Sequence, residues 1–223
     1  MSSDRRRFLH GCGIAAFVGI GFSFGTGLAA GRPKKKGGYF CNVASASHPN
    51  AAIGREKWGK VHLRYHISDR DEKDLTKEVW DNEFRLAFDS WSEITPLTFE
   101  QVDEDGEYDI VISASDKKWE GFGKSGGILA WAQMPPTRNF DGVLLSKFDL
   151  SEDWILPETN VIGIWPPLGT ILRSVAAHEI GHLLGLSHSE DPKALMYPYI
   201  NNALKPKEDD TKKIQRLYGG RNA

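Results

Sequence analysis

His178, Glu179, His182, Gly185 and His188 stand in the spacing His-Glu-x-x-His-x-x-Gly-x-x-His, in which each residue type has a chemical use. On a helix, residues four apart share a face, so His178 and His182 aim imidazole nitrogens at one point. Glu179 follows the first histidine directly, where its carboxylate reaches a metal-bound water without entering the coordination sphere, as a general base must. Gly185 can take the positive φ that ends a helix, after which the chain turns back and His188 supplies a third nitrogen. Three imidazoles with a fourth position left to water describe a catalytic rather than a structural zinc site. The competing reading is a buried helix that happens to carry three histidines, and five filled positions weigh against it.

Elements must position these groups. Pro166-Pro167-Leu168-Gly169 breaks the chain, and Thr170 reads as the cap of a helix running from Ile171 into the zinc motif. Upstream, Val61, Leu63, Tyr65 and Ile67 alternate with His62, Arg64 and His66, the pattern of a half-buried strand with its histidines toward solvent. Trp80, Phe84, Ala87, Phe88 and Trp91 recur at helical spacing as a broad apolar face. Strands are expected over 97–102, 108–113 and 128–132, and a last helix from Glu208-Asp209-Asp210, whose carboxylates suit the positive helix end, with Ile214, Leu217 and Tyr218 inward. Strand, helix, strand order favours a mixed sheet with a crossover helix.

The 223 residues give room for one domain plus processing segments, and a net charge of −2 argues against a nucleic-acid partner. Arg5-Arg6-Arg7-Phe8-Leu9 matches the RRxFL core of a twin-arginine export signal, followed by an apolar, glycine-rich stretch to Ala30. Residues 1–31 are therefore read as a signal for a secreted or extracytoplasmic protein; the alternative is an uncleaved membrane anchor. Residues 32–56 lack any period and read as a linker or short pro-segment before a catalytic domain at 57–223. The cysteines are Cys12 and Cys41, so a mature domain without an internal disulfide relies on core packing and bound metal.

With these residues in place, the chain resembles the catalytic domain of the matrixins, the matrix metalloproteinases. Lys57-Trp58-Gly59-Lys60-Val61-His62-Leu63-Arg64-Tyr65 is similar to their first strand, and 91–99, Trp-Ser-Glu-Ile-Thr-Pro-Leu-Thr-Phe, to their first helix-to-strand junction. Val175-Ala176-Ala177 precedes the zinc motif as in the family. Ala194-Leu195-Met196-Tyr197-Pro198 resembles the Met-turn, and Ile214-Gln215-Arg216-Leu217-Tyr218-Gly219 the closing helix.

The resemblance implies an α+β fold, a twisted five-stranded mostly parallel mixed sheet with three helices, and a zinc endopeptidase acting as a monomer on extended peptide or protein substrates. It implies one catalytic zinc on His178, His182 and His188, Glu179 as general base, and Met196 as an apolar floor under the metal. Leu129 and Ala130 would lie on the rim strand that pairs with substrate, and Pro198 and Tyr199 on the pocket wall, where this chain reads Pro198-Tyr199-Ile200 against the family's Pro-x-Tyr. Trp131 and Lys147 stand where the family's structural-zinc histidines would be, so that second zinc is not expected. Asp149 and Glu152 match calcium-binding acids, but Gly123 replaces a third; they hold calcium or are two solvated surface acids. Cys41 lies sixteen residues before Lys57, near the family's latency cysteine, without its surrounding motif. It is a switch whose thiolate fills zinc's open position, or a free linker cysteine. Two other functions stay open: a silent peptide-binding protein of this shape, and a zincin acting on cell-wall amide bonds.

Overall fold

The computed structural model describes residues 40–44, 56–68, 75–116, 118, 121–123, 127–159 and 169–221, all within one compact unit that spans 36–223. The expected export signal at 1–31 lies outside the described residues. In chain order the elements are β1 (Phe40–Ala44), β2 (His62–Ile67), α1 (Lys77–Ser92), β3 (Thr98–Gln101), β4 (Ile110–Ser115), β5 (Ile128–Gln133), β6 (Leu144–Asp149), β7 (Trp154–Ile155), β8 (Thr170–Ile171), α2 (Leu172–Leu183) and α3 (Glu208–Tyr218). Strands β2 to β6 form the five-stranded mixed sheet, and β1 adds a sixth strand at one end, in the order β1-β5-β6-β4-β2-β3. Every neighbouring pair is parallel except β5 with β6. Because β2 and β3 are adjacent and parallel, the chain needs a crossover between them, and α1 supplies it.

The apolar stripe of α1 does what its spacing promised: Trp80, Phe84, Ala87, Phe88 and Trp91 are all buried. Phe84 meets Phe148 of β6 edge-on, with ring centroids 5.0 Å apart, and Phe88 lies 4.7 Å from Phe99 of β3. Arg173 of α2 holds Glu83 of α1 through two hydrogen bonds of 2.7 and 2.9 Å, a bidentate pair that fixes how the two helices meet. Thr76 caps α1 from its side chain.

Three expectations are corrected. Val61 is 49% exposed and precedes the strand, because the inward alternation begins at Leu63. Thr170 is not a helix cap: it pairs with Trp154 in the β7–β8 ribbon, and α2 starts after Ile171 with no side-chain cap. The segment 32–56 is not wholly irregular, since Phe40–Ala44 completes a ladder along β5. His62 faces solvent as read, bonded to Thr98 and Glu100, while His66 is half-buried with its ring stacked on Tyr108.

Candidate metal centre

α2 is buried along nearly its whole length and is fastened at several carbonyls. The Trp91 indole N–H donates to Ala177 O at 3.0 Å, Trp58 Nε1 to Leu183 O at 2.8 Å, and the Tyr218 hydroxyl to Leu184 O at 3.0 Å. Trp58 and Tyr218 thus take up carbonyls that the helix end leaves open. Gly185, at φ 98°, ends the helix as expected. Leu186 N–H returns to Gly181 O and Gly185 N–H to His182 O, at 2.9 and 2.8 Å, the paired bonds of a Schellman turn. That turn brings His188 back beside the helix.

The three imidazoles converge. His182 Nε2 lies 3.1 Å from His178 Nε2 and 3.3 Å from His188 Nε2. His178 Nδ1 faces Leu195 O and His182 Nδ1 faces Leu186 O, each at 2.7 Å. A carbonyl only accepts, so both Nδ1 atoms carry the proton and both Nε2 atoms present lone pairs. Lone pairs that close repel one another unless a cation lies between them. Tetrahedral zinc with Zn–N of about 2.0–2.1 Å spaces its nitrogens about 3.3–3.4 Å apart, so the donor set fits zinc. Burial pushes the His178 imidazole down to about 4 and His182 well below its ordinary value, and it lowers His188 too, which favours the neutral ligand form. Among the described residues, this trio is the group of at least three His, Cys, Asp or Glu side chains arranged to hold a metal.

Glu179, next to His178 on α2, is buried, and so is Met196. A Cβ at Gly181 would collide with Met196 Sδ and come within 3.0 Å of the Trp91 ring, so the thioether reaches the helix because position 181 has no side chain. Gly181 occupies an unspecified position of the histidine motif, where the spacing alone assigns it no role. In sequence Asp210 reads only as an acid in a helix first turn, yet Asp210 is buried and accepts the N–H groups of Leu195, Met196 and Lys207 at 2.7, 3.1 and 2.8 Å.

The remaining expected residues divide. Leu129 and Ala130 sit in β5, against which α2 packs, with both side chains buried. Their strand edge is not open, because β1 pairs with it in parallel, Phe40 opposite Ile128 and Asn42 opposite Trp131. Cys41 falls at the register shift between those pairs, beside Leu129 and Ala130. Pro198 is half-buried, and Tyr199 is 41% exposed with its ring 5.8 Å from that of Tyr197. Trp131 and Lys147 are cross-strand partners, the Lys147 ammonium lying 6.0 Å from the indole centroid, at cation–π range.

Asp149 and Glu152 are 0% and 1% exposed, which corrects the reading of them as solvated surface acids. Asp149 accepts the Gly123 N–H at 3.2 Å and the Ser151 N–H at 2.8 Å. Gly123 therefore meets Asp149 through its N–H and brings no side-chain oxygen to a calcium site.

The Matrixin family model matches residues 57–219. Among curated relatives, the chain is 36% identical to stromelysin-1 of Equus caballus over 188 residues, covering 80% of this chain and 36% of that protein. It is 37% identical to stromelysin-2 of Rattus norvegicus over 192 residues, 81% of this chain and 37% of that protein. It is 38% identical to metalloendoproteinase 5-MMP of Arabidopsis thaliana over 175 residues, 75% of this chain and 47% of that protein. The chain thus spans between about a third and a half of the length of these relatives. With the histidine trio, the Met-turn and a family match that runs from the strand before α1 to the end of α3, the chain belongs to the matrixin family.

Proposed function

We propose that the chain is a zinc-dependent endopeptidase that cleaves extended peptides, with Glu179 as general base. The observation that carries this reading is the convergence of three Nε2 atoms, two of them turned inward by carbonyls that hold the opposite nitrogen. His178, His182 and His188 would hold the zinc, with Met196 as the apolar floor. When bound, zinc polarises a carbonyl and lowers the pKa of water. The rest falls to the chain's own groups. Glu179 takes the proton of the attacking water at its carboxylate and returns it to the leaving amine. β5 offers backbone N–H and C=O groups to an extended substrate at Leu129 and Ala130 when its edge is not covered by β1. Pro198 and Tyr199 wall the approach.

In this reading residues 1–31 direct export, 32–56 form a pro-segment, and 57–223 are the catalytic domain. The pairing of β1 with β5, and the position of Cys41 within it, support a latent precursor. Digestion of a peptide library by protein trimmed to start near residue 57, with a chelator and with zinc restored, tests the activity. Cleavage should disappear and return. Trimmed, zinc-loaded protein that binds extended peptides without cutting them would instead identify a silent peptide-binding domain.

A further inference from the structure

The two ligand histidines on α2 make matched hydrogen bonds through Nδ1, each 2.7 Å long and each to a backbone carbonyl. The peptide groups behind those carbonyls differ. Leu195 C=O and Met196 N–H are the two ends of one peptide unit, and the Met196 N–H donates to Asp210 Oδ1 at 3.1 Å. The adjoining Leu195 N–H donates to Asp210 Oδ2 at 2.7 Å, so the carboxylate grips two successive peptides of the Met-turn. Leu186 C=O belongs to the peptide whose N–H is that of Ser187, and among the described residues no carboxylate accepts it. Asp210 is fully buried, in surroundings where hydrogen bonds polarise one another along a chain.

From this connectivity we infer that Asp210 is a positioning residue for the metal centre, acting on His178 through the 195–196 peptide. A carboxylate at the N–H end draws that peptide's polarity toward its oxygen. The Leu195 carbonyl becomes a stronger acceptor for the His178 Nδ1–H, and His178 Nε2 becomes the more electron-rich ligand. The arrangement does through one peptide bond what a carboxylate bonded directly to a ligand histidine does. It also fixes the ring, since the same carboxylate anchors the turn that carries the accepting oxygen and accepts Lys207 N–H at the start of α3. His182 lacks this backing, so the two histidines are unequal ligands despite equal hydrogen-bond lengths. The inference rests on the zinc reading of the site, but its first test does not.

That test is nuclear magnetic resonance of the full-length chain, unsubstituted and metal-free. The two Nδ1–H protons are assigned through their proximity to Leu195 and Leu186. The His178 proton should resonate downfield of the His182 proton, whereas coincident resonances would overturn the relay. In Asp210→Asn the His178 resonance should move toward that of His182, which should hold still. Zinc affinity, measured by competition with a chelator of known strength, should fall by about 10-fold or more, the usual effect of losing such a supporting group, and Asp210→Glu should recover part of it. An unchanged affinity in folded Asp210→Asn also overturns the inference. If that variant does not fold, the comparison within the unsubstituted protein still decides. Failure of the unsubstituted chain to bind zinc would sink the peptidase reading and leave the resonance comparison standing.

Discussion

Glu179 and His188 separate two functions that the histidine motif packs together. Glu179→Ala leaves all three nitrogen ligands in place, so zinc content and fold should persist while hydrolysis drops by about 10^2 to 10^4, the usual value of positioned proton transfer. His188→Ala should instead lose metal, because a ligand is gone. Rates and elemental analysis on both variants check the pair, and near-normal turnover in Glu179→Ala would sink the assigned role. Gly181 supplies a sharper test of packing. Replacing it with Ala drives a methyl into Met196 Sδ with the Trp91 ring close by, between elements that hold the ligands. Overpacking of this kind costs about 1–3 kcal/mol. Thermal unfolding of Gly181→Ala should show that loss together with weaker zinc retention, and a variant as stable as the parent would mean the Met-turn yields without cost. The ligands were legible in the sequence because the helical period dictates their spacing. Asp210 was not, since its partners lie 14 and 15 residues upstream in a turn, a separation that no secondary-structure period marks.

At the scale of elements, the sheet was legible wherever burial alternates and illegible where pairing comes from a neighbour's edge. The α1 stripe and the inward positions of β2 announced themselves through periods of 3.6 and 2. β1 carries no such pattern in its five residues, and its place is set by the open edge of β5. Ribbon β7–β8 escaped notice for the same reason, with only two residues per strand. The corner where β5 meets β6 bears on metal content. Lys147 lies over Trp131 there, and Asp149 is bonded to the Gly123 and Ser151 amides, so protein contacts occupy positions that the family resemblance associates with metals. Dialysed protein should therefore contain one zinc per chain, and its melting temperature should not change when calcium is chelated. Two zincs by elemental analysis would show that another group, such as His62 or His66, has built a second site. A fall in melting temperature restored by calcium would show that Asp149 exchanges its amide partners for the ion.

At the scale of the whole molecule, β1 lies along the strand edge that the proposed reading gives to substrate. In the proposed reading β5 pairs with extended peptides, and β1 already lies along it in parallel, with Cys41 where the ladder shifts register. The extra residue at this shift lies in β5, where Leu129 and Ala130 together stand opposite Cys41, and a thiolate is a strong zinc ligand. Two sources of latency are then separable: the covering strand, which blocks pairing, and the thiol, which takes the position meant for water. Protein beginning near residue 32 should be latent. Cys41→Ser should restore part of the activity, because the strand remains while the sulfur is lost, and removal of residues 32–56 should restore all of it. The comparison needs each precursor verified intact after the assay, since self-cleavage would imitate release. Equal activity of the unsubstituted and Cys41→Ser precursors would eliminate the thiol, and a fully active precursor would eliminate the strand as well. Latency unchanged in Cys41→Ser but lost on truncation would assign the block to backbone pairing alone, a way for a pro-segment of this length to restrain a peptidase without a folded domain of its own.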